Sequence, residues 1–353
     1  MQISVNKLFI YLFFFVLLLN CSFSKKETSN SDADIKIIFQ KIKPIEKELN
    51  PNLNIQLRKL TKGNPFLKNN TNNSGNVNFE TNFDNLSSFK FKKIDQFEFS
   101  QPELLFTNNN SIIFFNGKGS IFNINEDLKV NWEVNHYTKK ERKLNPILYF
   151  AQNGNNLIVT DNISKFYSLN LNKGDLVWSK SNQAPFNSNI KIYKDRFLAI
   201  DFDNVIRCFS IEDGTEIWNF KTEDSFIKSQ KKLSLVLKGE IVYFINNLGD
   251  VTSLNINDGS LIWQTPTQSN VIYQNAFSLE NSDLVFANNS IYFSNNKNEI
   301  FSIDSKSGIV KWKQTVNSSL RPTIIENFIF SISEEGYVFV LDDKTGSILK
   351  ITN

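Results

Sequence analysis

The sequence is poor in the residues from which metal centres and catalytic pairs are commonly built. Its 353 residues include one histidine, His136, and two cysteines, Cys21 and Cys208. One histidine without neighbouring cysteines cannot form a zinc site or a histidine-based catalytic pair. The glycines do not form a phosphate-binding loop between a strand and a helix. We therefore expect no metal or cofactor and no catalytic residues of these kinds.

The chain also lacks a strong charge of either sign. Its 39 Lys and Arg residues nearly balance 36 Asp and Glu residues, which leaves a net charge of +3. A nucleic-acid-binding domain usually carries a basic stripe, often interleaved with aromatic residues, and the sequence has no such stripe. We therefore do not expect nucleic acid as a partner.

Long hydrophobic runs are absent apart from Leu8–Leu19. A helix of that length would span about 18 Å, which is short of a hydrocarbon core of about 30 Å. Residues 1–20 are therefore predicted to be a secretory signal peptide. The sequence Leu18-Leu19-Asn20-Cys21 resembles a bacterial lipoprotein signal, which implies lipidation at Cys21. The alternative is a plain signal peptide in which Cys21 has no role.

Residues 21–80 are rich in Asn, Ser, Lys and Thr, and this composition predicts a flexible tether. Four apolar residues follow helical spacing before Pro44: Ile35, Ile38, Phe39 and Ile42. They predict a short helix over residues 35–43. Such a helix either lies on a membrane or partner, or is a weakly helical part of the linker.

The dominant signal in the rest of the chain is an internal repeat. The motif Gly-x-x-x-Trp occurs four times, as Gly174 to Trp178, Gly214 to Trp218, Gly259 to Trp263 and Gly308 to Trp312. Gly346 begins a further copy in which Lys350 replaces the tryptophan, and Trp132 ends an earlier copy in which Leu128 replaces the glycine. A spacing of about 40–50 residues is typical of repeat architectures.

Each repeat contains apolar runs separated by turns rich in Asn, Asp and Gly, which predicts four short strands. Six positions before each glycine is a small residue: Ser168, Cys208, Ser253, Ser302 and Val340. A four-stranded sheet that is apolar on both faces must be packed between neighbours, and repetition around an axis achieves this. We therefore predict an all-β fold over residues 81–353: a β-propeller with six four-stranded blades and tryptophans between them.

The repeat resembles the quinoprotein-type propeller repeat, and with the lipoprotein-like N-terminus it is similar to the BamB family. The resemblance implies a non-enzymatic scaffold lipoprotein on the periplasmic face of the outer membrane. Its implied partners are a BamA-like assembly protein and unfolded outer-membrane proteins. The family has eight blades closed by an N-terminal strand, and Ser88–Ile94 resembles such a strand. The chain would then lack about two C-terminal blades; the alternative is a ring of six or seven.

Quinone-dependent dehydrogenases also contain this repeat, so a periplasmic quinoprotein-like enzyme or a ligand-binding propeller is the alternative function. That resemblance implies a Ca²⁺ site, an aspartate base and, in many members, adjacent cysteines, which the sequence does not have. Asp201 and Asp203 flank a strand end and are the acidic pair least explained by turn chemistry. The sequence favours the scaffold over the enzyme.

Overall fold

The computed structural model describes residues 47–57, 73, 88, 104–223, 231–268 and 279–353. The predicted signal peptide, Cys21 and the predicted helix over 35–43 lie outside these residues, as does all of Ser88–Ile94 except Ser88. All described residues belong to one compact unit, Ile42–Asn353.

The described residues contain 24 strands in six antiparallel sheets. Sheet 1 consists of β1 (Leu105–Phe106), β2 (Ile112–Phe115), β3 (Ile121–Ile124) and β4 (Val130–Val134). Sheet 2 consists of β5 (Leu148–Asn153), β6 (Asn156–Asp161), β7 (Lys165–Asn170) and β8 (Leu176–Ser181). Sheet 3 consists of β9 (Lys191–Tyr193), β10 (Arg196–Ile200), β11 (Val205–Ser210) and β12 (Glu216–Lys221).

Sheet 4 consists of β13 (Leu235–Lys238), β14 (Ile241–Ile245), β15 (Val251–Asn255) and β16 (Leu261–Thr265). Sheet 5 consists of β17 (Val285–Ala287), β18 (Ser290–Asn295), β19 (Glu299–Asp304) and β20 (Val310–Thr315). Sheet 6 consists of β21 (Thr323–Ile325), β22 (Phe328–Ile332), β23 (Val338–Asp342) and β24 (Ile348–Thr352). A single turn of 3₁₀ helix, Glu141–Leu144, lies between sheets 1 and 2.

The four strands of each sheet are in chain order, so every sheet is a simple meander. This architecture confirms the predicted all-β fold with six four-stranded blades. No helix among the described residues is long and apolar enough to cross a lipid bilayer.

The third and fourth strands of every sheet pair with the same irregularity. In sheets 2 to 6 the tryptophan or lysine at the end of the repeat motif lies opposite the small residue of the third strand, as Trp178 lies opposite Ser168; in sheet 1 Trp132 lies opposite Asn123. A β-bulge follows this pair in all six sheets. A bulge bends a strand and re-aims its side chains, and the small residue leaves room for the indole.

The hydrophobic core lies between consecutive sheets. One cluster contains Phe115 of sheet 1 and Tyr167 of sheet 2, and the next contains Phe166 of sheet 2 and Phe197 of sheet 3. Three further clusters join sheets 3 and 4, 4 and 5, and 5 and 6 in the same way. Each inner sheet is therefore apolar on both faces, as its sequence predicts.

Candidate functional site

A hydrogen bond that we call the indole latch joins each of the first five sheets to the next. The tryptophan Nε1–H of one sheet donates to a backbone carbonyl in the β-turn that precedes the last strand of the following sheet. The pairs are Trp132 with Leu171, Trp178 with Ile211, Trp218 with Ile256, Trp263 with Ser305 and Trp312 with Asp343, at 2.8–3.0 Å. The structure therefore places all five tryptophans of the repeat between sheets.

The glycine of the repeat lies directly under the indole of the preceding sheet. Gly174, Gly214, Gly259, Gly308 and Gly346 have φ between +70° and +75°. A Cβ added to any of them would lie 2.6–2.8 Å from a side-chain atom of the preceding sheet. Glycine is required here because the turn needs a left-handed backbone and because the indole occupies the space of a side chain. The motif glycines and tryptophans thus belong to the inter-sheet contact.

Sheet 6 departs from the latch at its outer strand. Lys350 occupies the position of the tryptophan, and its Nζ donates to the backbone carbonyl of Leu53 at 3.0 Å. The edge of β24 also pairs with the N-terminal segment, since Leu49 and Ile351 exchange backbone hydrogen bonds of 2.9 and 3.2 Å. The sixth sheet is thus covered at its outer edge by residues from far upstream in the chain.

The turn between the second and third strands is built around one polar side chain in every sheet. Its oxygen accepts from backbone N–H groups two and four residues later in sheets 1 to 5, and four residues later in sheet 6. The residues are Asn116, Asp161, Asp201, Asn246, Asn295 and Ser333. These acids and amides are turn-forming groups, as is usual for Asx turns.

The two aspartates of this set have further buried partners. The second carboxylate oxygen of Asp161 accepts from the Tyr137 hydroxyl at 2.6 Å. Burial raises the pKa of Asp161 to about 6, although the Tyr137 hydroxyl and the turn N–H groups oppose this rise. The Asp161 carboxyl therefore changes its protonation closer to neutral pH than an ordinary aspartate does.

Asp201 is held by an ion pair. Its Oδ2 accepts from Arg207 Nε at 2.8 Å, and Arg207 Nη1 also contacts Glu216 at 2.7 Å. Arg207 and Asp203 line a cavity of about 510 Å³ between sheets 2 and 3, together with Lys180, Lys221, Phe166 and Phe209. The described residues contain no group of three or more His, Cys, Asp or Glu side chains that could hold a metal ion.

The single histidine and the described cysteine are part of the packing. His136 Nε2 lies 3.2 Å from the carbonyl of Gly174, and burial lowers the pKa of the imidazole. Cys208 is fully buried, and burial raises the pKa of its thiol to about 12. Cys208 therefore fills the small-residue position of β11 as an unreactive apolar group, as its place in the repeat predicts.

One residue from the N-terminal region lies among the innermost strands. Asn73 is buried, and its amide donates to the carbonyl of Leu284 at 3.0 Å and to that of Leu235 at 3.4 Å. Its side-chain oxygen accepts from the buried ammonium group of Lys191. Asn73 therefore joins polar groups of sheets 3 and 4 to the segment that leads into sheet 5. This contact could not be predicted from the sequence, because residue 73 lies outside the repeat.

The outer rim carries a recurring set of exposed apolar side chains, which we call the apolar band. Its members are at the start of the outermost strands and are 37–68 % exposed. They are Val130, Leu176, Val177, Ile217, Leu261, Ile262, Ile309 and Val310. These residues recur at equivalent positions of successive sheets. The sequence signal for this band is the one or two apolar residues among the three positions between glycine and tryptophan in the repeat motif.

Comparison with known proteins identifies relatives by family and by fold. The family described as "Outer membrane protein assembly factor BamB" matches residues 117–352. A search of curated proteins finds no match. The crystal structure of BamB from Moraxella catarrhalis is similar over 71 % of this chain and 75 % of its own, with a TM-score of 0.58 and 14 % identity.

A computationally designed protein, Ika8, has a similar structure. The similarity covers 70 % of this chain and 73 % of the designed chain, with a TM-score of 0.56 and 14 % identity. At this identity both structures show the likeness of the fold alone.

Proposed function

Because the chain belongs to the family of the outer membrane protein assembly factor BamB, we propose that it is a non-enzymatic scaffold in outer-membrane β-barrel assembly. The observation that carries this proposal is the family match over residues 117–352. The hydrogen bonds of the two buried aspartates also favour a non-enzymatic role over a catalytic one. Asp161 and Asp201 accept hydrogen bonds from their own turns, and they also accept from Tyr137 and Arg207, so both carboxylates have structural partners.

We assign the docking surface to the apolar band. Exposed Leu, Ile and Val side chains are unremarkable one at a time, but a set of them that recurs on neighbouring sheets is expected to form the kind of apolar surface that marks an interaction site. Seven of the eight band residues belong to sheets 2 to 5, and polar residues such as Glu216 and Lys311 lie between them. A partner with an apolar surface and a polar rim would match this arrangement.

The proposed partners are a BamA-like outer-membrane assembly protein and unfolded outer-membrane proteins. The proposed address is the periplasmic face of the outer membrane, with a lipid anchor on Cys21. Several acyl chains on one cysteine would give stable anchoring, whereas one chain gives only marginal binding.

Co-purification with a BamA-like protein from the same cell envelope tests the proposal. The informative variant is Leu261→Ser with Ile262→Ser, which removes apolar side chains from the centre of the band. Its matched control is Leu144→Ser with Leu320→Ser, which removes apolar side chains outside the band that are at least as exposed. We expect the first variant to lose the partner by ten-fold or more and the control to retain it.

Retention of the partner by both variants would show that the band is not the docking surface. Absence of the partner from the unmodified protein would contradict the scaffold itself. Alcohol oxidation after addition of a quinone cofactor and Ca²⁺ would establish the enzyme instead.

A further inference from the structure

The outer edge of β24 is occupied by a very short segment that imitates a strand. Leu49 supplies the backbone N–H and carbonyl that pair with Ile351, at 3.2 and 2.9 Å. On one side, the Asn50 amide donates to the carbonyl of Leu349 at 3.0 Å. On the other, the Glu48 carboxylate accepts from the N–H of Asn353 at 3.4 Å. Two side chains thus replace the backbone groups that a longer strand would provide.

The sequence of this segment stops the pairing after one residue. Asn50 has a left-handed backbone with φ of 47°, and Pro51 has no N–H to donate. Charged residues and proline are common devices for protecting a sheet edge from further strands. Glu48–Leu53 therefore has the character of a cap.

Lys350 is the residue of sheet 6 whose side chain binds this cap. In sheets 1 to 5 the same position is a tryptophan whose donor reaches a turn carbonyl of the next sheet. In sheet 6 the flexible lysine reaches the Leu53 carbonyl. The replacement of Trp by Lys thus exchanges a donor directed at a neighbouring sheet for a donor directed at an extended segment.

Few contacts hold the cap against β24, and it covers only part of the edge of that strand. Leu49 and Leu53 are each 40 % exposed, so little apolar surface holds the segment in place. β24 is five residues long, but only Ile351 forms a backbone pair with the cap. A regular extended strand could form backbone hydrogen bonds with Leu349, Ile351 and Asn353. It could also supply a backbone carbonyl for Lys350 to bind.

We propose that the outer edge of β24 is a strand-docking site, filled in cis by Glu48–Leu53 and filled in trans by an extended polypeptide strand when that segment is released. The strand that fits has a backbone free of proline opposite Ile351, an apolar side chain at that position and a carbonyl within reach of Lys350. Addition of a strand to an open sheet edge is a common mode of peptide recognition. This site is independent of the apolar band and of the scaffold proposal.

The test uses the full chain and a fluorescent peptide with the sequence of residues 47–54. Leu49→Pro with Asn50→Ala releases the cap, because it removes the Leu49 N–H and the Asn50 amide. Leu57→Pro is the matched control, since Leu57 is equally exposed and makes no hydrogen bond with other described residues. We expect the released variant to bind the peptide at least ten-fold more tightly than the unmodified protein or the control.

Two further arms locate the binding. Lys350→Ala in the released variant should weaken binding several-fold, whereas Lys344→Ala, an exposed lysine in the turn of the same sheet, should not. Hydrogen exchange at the Ile351 amide should speed up on release of the cap and slow down again with peptide. Equal peptide binding by capped and released proteins, no binding by the released variant, or an Ile351 amide indifferent to the peptide would each overturn the proposal.

Discussion

The indole of Trp178 lies so close to Gly214 that a Cβ on the glycine would be 2.7 Å from the ring. The Nε1–H of the same tryptophan donates to the carbonyl of Ile211, three residues before the glycine, at 2.9 Å. One side chain therefore both hydrogen-bonds the turn of the next sheet and requires that turn to lack a side chain. This double requirement explains why glycine and tryptophan recur together at a fixed distance.

The first prediction is that Gly214→Ala destabilises the protein strongly. The left-handed backbone, with φ of +71°, would cost roughly 1–2 kcal/mol with alanine. Overpacking against the Trp178 ring would add about 1–3 kcal/mol. Gly154→Ala is the matched control, because Gly154 has φ of +56° but no atom within 4 Å of its added Cβ. Urea denaturation should show a larger loss in the free energy of unfolding for Gly214→Ala than for the control. Equal losses would mean that the indole does not exclude a side chain at this position.

The fold was predictable because its signal is periodic. Gly259 and Trp263 identify a turn and an inter-sheet contact without knowledge of the partner sheet, since every sheet has the same neighbour relation. Residues outside the period had no such support. Leu49 is hundreds of positions from Ile351, and a single backbone pair leaves no pattern in side-chain composition. The same holds for Asn73, whose contacts with Leu235 and Leu284 depend on the path of the chain.

The polar contacts were only partly predictable. The acid or amide that ends the second strand recurs as regularly as the glycine, so its role in the turn could be inferred from Asn116, Asp161 and Asn246 together. The group that hydrogen-bonds the second carboxylate oxygen could not be predicted, because it comes from different elements in different sheets. Asp161 meets Tyr137 from a connection between sheets, whereas Asp201 meets Arg207 from the next strand.

The second prediction concerns pH and Asp161. Burial raises the pKa of this carboxyl to about 6 in the folded state, against an ordinary value near 4. A raised pKa stabilises the folded protein below about pH 4, and this stabilisation is lost as the pH rises through 6. Relative to Asp161→Asn, the wild-type free energy of unfolding should therefore fall by up to about 3 kcal/mol between pH 4 and 7.

Urea denaturation at several pH values measures this difference. Asparagine is the appropriate replacement because Asn116, Asn246 and Asn295 form the same turn in other sheets. Asp258 is the control with the opposite sign, because hydrogen bonds from Ser260 lower the pKa of its exposed carboxyl. A wild-type advantage over Asp161→Asn that grows with pH would contradict the assignment.

The third prediction concerns the ion pair between Arg207 and Asp201. Arg207→Met should cost about 3–5 kcal/mol, because it leaves the fully buried Asp201 carboxylate without its cationic partner. Adding Asp201→Asn should recover most of this loss, since the asparagine keeps the oxygen that organises the turn. A double-mutant cycle by urea denaturation gives the coupling, and a double variant as unstable as Arg207→Met would show that burial of the charge is not the cause.

The last prediction concerns the junction between sheets 6 and 1, where both halves of the indole latch are altered. Lys350 stands in place of the tryptophan, and Leu128, with φ of +59°, stands in place of the glycine. The Leu128 side chain would occupy the space that an indole needs, and the Lys350 ammonium group donates a hydrogen bond to the Leu53 carbonyl. Among the described residues, no core cluster contains side chains of both sheets 1 and 6.

We therefore expect sheets 1 and 6 to pack less tightly on each other than the consecutive pairs do, as in an open arc. Sheets 1 and 6 should show faster amide exchange than sheets 3 and 4, because each would have one face without a latched neighbour. Some self-association through these two faces is also expected, because each would expose apolar surface. A monomeric ring in which sheet 6 protects sheet 1 as strongly as sheet 5 protects sheet 6 would contradict the open arc, and would require a junction built without the latch.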